Sequence, residues 1–206
     1  MALRRLRMLF WGVAAVAGLA YLGLIFWSDN RIHGHVGGAS AEAAAEAILP
    51  RFALTDQTGA TVTEATFRGR WLLVFFGFTN CPDICPTTLA ELADVVDGLG
   101  AAAGQVQPIF ISVDPSRDDS AALADYVAAF HPAIVGLTGA EEALASAASS
   151  FRAYFERTEQ AGAPGGYTMT HSSAVYLISP EGSFERVYAY GTPVDDILAD
   201  LKPRLE

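Results

Sequence analysis

Cys81 and Cys85 are the only two thiols in the 206-residue chain. They stand four positions apart in WLLVFFGFTNCPDICPTTLAEL, a stretch that begins at Trp71. Cys81 follows an apolar run that reads as a buried strand, and Cys85 directly precedes Pro86 and a helical pattern. Proline is favoured at the first helical position, so the spacing predicts Cys85 at or near the N-cap. The positive end of a helix favours the thiolate, the form that binds metals and attacks disulfides. Such a pair is either a redox couple or a soft-metal clamp. A purely structural disulfide is the third reading, yet it would close a very small loop, and short loops gain least from a crosslink.

The pair needs a scaffold, and the flanking pattern supplies one. RFALTDQTGATVTEATFRGR reads as a hairpin with Gly59 in its turn and Phe52, Leu54 and Val62 facing a core. Leu72 to Phe78 is a near-continuous apolar run, as expected for a strand covered on both faces. After Cys85, Leu89, Leu92, Val95, Val96 and Leu99 recur at helical spacing until Gly100 stops them. Val106 to Val113 reads as a second buried strand. Asp114 to Asp118 forms a loop into a helix from Ser120 to Phe130, and a further helix covers Glu141 to Glu156. GAPGGYTMTH reads as a mobile Gly-rich loop. Strands from Ser173 to Ser179 and from Phe184 to Tyr190 form a hairpin around Pro180-Glu181-Gly182, and an amphipathic helix runs from Pro193 to Leu205. This order predicts an α/β fold, a mixed sheet flanked by helices and preceded by a hairpin. It resembles the thioredoxin-like order, which places its chemistry at the first strand–helix junction, where the cysteines fall.

Redox chemistry and metal binding then turn on what faces the thiols. Thioredoxin-type enzymes have two residues between their cysteines; here there are three, Pro82, Asp83 and Ile84. Those enzymes also set a cis-proline before the late strand, and here Thr170-His171-Ser172 takes that place. On that topology His171 projects toward the sulfurs. Two thiolates and an imidazole make a soft, three-coordinate donor set suited to Cu(I), with Cu(II) or zinc as weaker matches. A peroxiredoxin pattern requires Pro and Thr at set distances before its cysteine, where this chain has Val74 and Phe78.

The remaining candidates read as support. His131 precedes a proline at a helix end, a structural setting for histidine. His33 and His35 lie in a solvated linker. Met169 is a soft thioether near His171 but reads as packing. Asp83 lies between the cysteines and could bias the thiols or a docking surface. Asp114, Arg117 and Asp118 read as fixing the loop beside the site, since hard carboxylates suit Cu(I) poorly.

Residues 8–27 are apolar and uncharged, about the 20 residues needed to cross a bilayer. Arg4, Arg5 and Arg7 precede them, which predicts a cytoplasmic segment 1–7, an anchoring transmembrane helix 8–27 and export of the rest. Cleavage at Ala39-Ser40-Ala41 is the alternative, weakened by an apolar run too long for a signal peptide. Residues 28–49, rich in Gly and Ala, read as a flexible tether, and residues 50–206 as the folded domain. The formal net charge is −10, and with the three anchor arginines set aside 10 basic residues face 23 acidic ones. An excess of acid argues against nucleic acid as a partner.

GFTNCPDICPTTLAEL, ISVDPSRD, FHPAIVGLTG and YTMTHSSAVYLISPEG, in this order, resemble the Sco (SenC) family of copper chaperones from about Arg51 to Leu201. The resemblance implies a membrane-anchored thioredoxin-like domain that binds copper through Cys81, Cys85 and His171. It also implies a copper-receiving subunit of cytochrome c oxidase as partner, whose dinuclear copper centre is assembled by copper delivery, by reduction of its cysteines, or by both. The implied location is the bacterial inner membrane, single-pass, with the domain in the periplasm. A thiol–disulfide oxidoreductase acting on exported or oxidase cysteines is the alternative. Two positions depart from the family pattern: Thr170 stands where an acid commonly precedes the histidine, and Asn80 where a histidine often precedes the first cysteine.

Overall fold

The seven-residue apolar run at Trp71 becomes β3 (Trp71–Gly77), with every residue from Leu72 onward buried. Both of its edges are paired because it lies inside the sheet. β4 (Val106–Ser112) runs parallel to it on one side, and β8 (Val175–Ile178) antiparallel on the other. The chain is described here by a computed structural model covering residues 50–206. The predicted hairpin is β1 (Ala53–Asp56) with β2 (Thr61–Thr63), and β5 (Val135–Thr138) joins it to β4. β9 (Phe184–Tyr188) closes the other edge. The resulting seven-stranded order is β2-β1-β5-β4-β3-β8-β9.

Alternation along the central strands sends side chains to opposite faces. Leu73, Phe75 and Phe110 meet α1 (Ile84–Leu99), α2 (Ser120–Ala128) and α4 (Val194–Leu201) on one face. Leu72, Val74, Phe76, Ile109 and Ile111 meet α3 (Glu141–Ser150) and the first hairpin on the other. Each fully buried side chain of this kind contributes about 1.5–3 kcal/mol. The result is a thioredoxin-like α/β arrangement, a mixed sheet between helical layers, as the element order predicted.

Three expectations fail locally. The helix from Glu141 does not reach Glu156; α3 ends at Ser150, and Arg152 takes a left-handed φ of 53°. Two amides close that turn, Arg152 N to the Ser149 carbonyl at 3.0 Å and Ala153 N to the Ala148 carbonyl at 2.8 Å. The chain released there forms β6 (Phe155–Glu159), paired with β7 (Tyr167–His171). GAPGGYTMTH is therefore half strand, and β6–β7 is a two-stranded ribbon outside the large sheet. β5 was also unforeseen, being only four residues of VGLT.

Among the described residues no helix is long and apolar enough to cross a membrane. The expected anchor 8–27, the tether 28–49, His33 and His35 lie outside those residues.

Candidate metal centre

The site forms where β3 ends. Its last residue, Gly77, leaves room for a sulfur: a Cβ there would lie 2.7 Å from Cys85 Sγ and 2.7 Å from Phe110 Cε2. The chain then turns through Phe78, Thr79 and Asn80 to Cys81, whose amide donates to the Phe78 carbonyl at 3.2 Å. Asp118, fully buried, holds the turn. Its carboxylate accepts from the Thr79 amide at 2.9 Å, the Thr79 hydroxyl at 2.5 Å and the Ser112 hydroxyl at 2.6 Å. Three donors satisfy a buried carboxylate that would otherwise be costly.

The helix start differs from the expectation in a way that matters. Asp83 is the N-cap and α1 begins at Ile84, so Cys85 lies two residues past the cap, inside the first turn. Its amide points at the other sulfur, with Cys85 N to Cys81 Sγ at 3.5 Å. The helix end thus stabilises charge on Cys81, not on Cys85. A hydrogen bond from the Cys85 thiol, opposed by burial and aided by His171 and the amides of Asp83 and Cys85, draws the Cys81 pKa down from 9.0 to about 3. Cys85 moves far the other way, because it is the proton donor of the pair and is buried. Cys81 is half-buried and Cys85 is fully enclosed, so one thiolate faces outward over one protected thiol.

His171 ends β7. Its Nε2 lies 3.6 Å from Cys85 Sγ and its Nδ1 3.0 Å from the Ser172 carbonyl. A carbonyl can only accept, so Nδ1 carries a proton and Nε2 is the ring atom left facing the sulfurs, as a donor to a thiolate or, in the neutral ring, as a lone pair for a metal. The rings of Phe75 and Phe78 meet the imidazole edge-on at 5.9 and 5.7 Å. Cys81, Cys85 and His171 bring their donor atoms within 4.8 Å of one another, the one such group among the described residues. Two sulfurs and a neutral nitrogen in a shell of phenylalanine rings suit a soft monovalent cation or a borderline divalent one.

The other candidates fall where they were expected to support rather than to ligate. His131 has both ring nitrogens engaged, Nδ1 by the Ala133 amide at 3.0 Å and Nε2 by Asp97 at 3.4 Å. Met169 is half-buried and packs against both cores. Asp83 and Asn80 are exposed. Thr170 is also exposed, on the face of β7 opposite His171, with its hydroxyl 3.2 Å from that of Thr158. Asp114 pairs with Arg117 and accepts from the Tyr167 hydroxyl at 2.8 Å.

The sequence reading missed Gly77 and Thr79. A glycine closing an otherwise bulky strand signals close approach of another group, and that signal was there to be used for Gly77. Nothing local marks Thr79, whose partner Asp118 is 39 residues away.

A family model described as SCO1/SenC matches residues 40–206. The chain belongs to the SCO1/SenC family. Among relatives of this SCO1/SenC chain, the mitochondrial SCO2 homolog of Bos taurus is 45% identical over 148 residues, 71% of this chain and 55% of the relative. The chain spans about half the length of the curated relatives it matches, 55% to 60% for the first of them. The crystal structure of Arabidopsis thaliana ScoI with copper bound superposes with a TM-score of 0.70 at 41% identity, covering 75% of this chain and 95% of that one. BsSco, described as having a disulfide switch and as a member of the Sco family of cytochrome c oxidase assembly proteins, superposes at 0.61 with 29% identity, covering 76% of this chain and 92% of its own.

Proposed function

We propose that this SCO1/SenC protein is a copper metallochaperone that binds copper through Cys81, Cys85 and His171. In this reading it hands the metal to the copper-receiving subunit of cytochrome c oxidase. The observation that carries the reading is the placement of His171 Nε2 3.6 Å from Cys85 Sγ, with Cys81 beside them. The copper-bound ScoI structure and the oxidase-assembly description of BsSco support the cargo and the recipient. Cys81 and His171 are only half-buried, so an incoming thiolate has a side from which to enter before a resident donor leaves. The same proposal includes an inner-membrane anchor at residues 8–27, a tether at 28–49 and a periplasmic domain, resting on the apolar run and its arginines.

The test is a Cu(I) titration of the reduced full-length chain against a competing chelator. His171→Ala and Cys81→Ser are expected to weaken binding by a factor on the order of 100, the upper end of what a supporting-shell change costs. Parent-like affinity in either variant sinks the proposal.

A second reading has its own observation. A half-exposed Cys81 thiolate over an enclosed Cys85 is the arrangement of an attacking and a resolving thiol. It makes the protein a thiol–disulfide oxidoreductase toward oxidase-subunit cysteines. Turnover of a partner disulfide without metal, indifferent to His171→Ala, would favour it over delivery.

A further inference from the structure

The loop from Asp114 to Asp118 follows β4, and its two ends grip opposite halves of the site. Asp118 takes the thiol half through Thr79. Asp114 and Arg117 take the histidine half. Arg117 pairs through Nε with Asp114, and its Nη1 donates to the carbonyls of Pro164 at 2.9 Å and Tyr167 at 3.3 Å. Its guanidinium lies 4.0 Å from the centre of the Tyr167 ring, while the Tyr167 hydroxyl donates to Asp114 at 2.8 Å. The same guanidinium stands 5.7 Å from the Phe78 ring, which meets His171 edge-on at 5.7 Å.

No rung of the seven-stranded sheet holds the ribbon that carries His171. Tyr167 and His171 are the two ends of β7, and the ladder to β6 is in register along its whole length, from Phe155 opposite His171 to Glu159 opposite Tyr167. Fixing Tyr167 therefore fixes where the imidazole falls. Arg117 is a costly means of mere stability: its side chain is 15% exposed and its Nη2 has no partner among the described residues. A buried ion pair is weak support for stability, and here the same guanidinium donates to the carbonyl of Tyr167, the first residue of β7. Arg117 makes no hydrogen bond to any of the three donors.

We infer that Arg117, with Asp114 and Tyr167, is a positioning clasp that sets His171 Nε2 against the sulfurs, so that metal affinity depends on a residue remote from the metal. The copper arm of the test rests on the metallochaperone reading; the exchange arm does not. In the reduced, metal-free full-length chain, Arg117→Ala should speed amide hydrogen exchange in β6 and β7 by about 10-fold and leave β3 and β4 unchanged, as for a locally released element. With Cu(I) and a competing chelator, the same variant should bind about 10-fold more weakly, the range of supporting-shell changes. Added to His171→Ala it should cost nothing further, because the two act through one donor. If Arg117→Ala does not fold, Tyr167→Phe decides, with both effects expected at about 3-fold for one lost hydrogen bond. Exchange or affinity at the parent value, or a full additional loss in the double variant, overturns the clasp. Parent-like copper binding by His171→Ala alone overturns the copper reading instead, and the exchange result then still decides the clasp.

Discussion

The Cys85 amide points at the Cys81 sulfur across 3.5 Å, so the two thiols of one turn are electrostatically unlike. The outer sulfur collects the helix end, the neighbouring thiol and the imidazole; the inner one keeps its proton in an apolar enclosure.

Alkylation should separate them. Cys81 has its pKa lowered to about 3, so iodoacetamide should label it at pH 6, while Cys85 reacts only once the protein unfolds. Peptide mass spectrometry after timed labelling reads the outcome, and equal labelling of both would contradict it.

Stability should follow pH in the sense set by Cys81. Its folded pKa lies below the unfolded 9.0, so its contribution is fully present above 9.0 and is lost as pH falls toward about 3. Cys85 has the opposite sign: its folded pKa is raised, so its contribution is present below 9.0 and fades above it. Between about pH 4 and 8 the urea midpoint of the reduced, metal-free chain should rise, and rise less in Cys81→Ser.

Gly77→Ala should harm both fold and site. The added methyl meets Cys85 Sγ and a Phe110 ring carbon at 2.7 Å, both enclosed, and overpacking of this kind costs about 1–3 kcal/mol. Gly98→Ala is the control. Its added methyl meets Leu198 alone, Cδ1 at 2.6 Å, Cδ2 at 3.3 Å and Cγ at 3.5 Å, so the end of that half-buried side chain must shift, against about 1 kcal/mol of helix propensity gained in α1. Urea unfolding with Cu(I) competition should show loss of affinity in the first and none in the second.

Asp118→Asn can keep one oxygen for the Thr79 amide and the Ser112 hydroxyl, which already share Oδ2, but turns an amide nitrogen toward the Thr79 hydroxyl that donates to Oδ1. A loss of about 1–3 kcal/mol is expected, together with weaker Cu(I) binding as the Cys81 turn loosens. Unchanged affinity would show that the turn holds without its carboxylate.

His131→Ala should leave Cu(I) affinity at the parent value and cost under about 1 kcal/mol, since its Asp97 partner is 74% exposed. The same chelator competition and thermal unfolding check it.

Much of this was legible in the chain, and the failures have physical causes. Cys81, Cys85 and Leu89 to Leu99 declared a strand–helix junction because burial and helical period leave strong local marks. His171 was found through topology, since a mixed sheet brings its late strand alongside β3. β6 was hidden because FERTE is solvated on nearly all sides, with only Phe155 half-buried, so no alternation betrays it. The end of α3 was hidden because Arg152 occupies the left-handed position where a glycine would have signalled a stop. The Thr79–Asp118 bond joins residues too far apart for any spacing rule to see.

Because, among the described residues, β6 and β7 pair only with each other, peeling that ribbon back breaks no rung of the seven-stranded sheet. Both sulfurs ride on the rigid body and the imidazole rides on an outrigger. On the metallochaperone reading proposed above, the nitrogen arm is expected to yield first in a hand-over, with the thiol seat kept for the next ion.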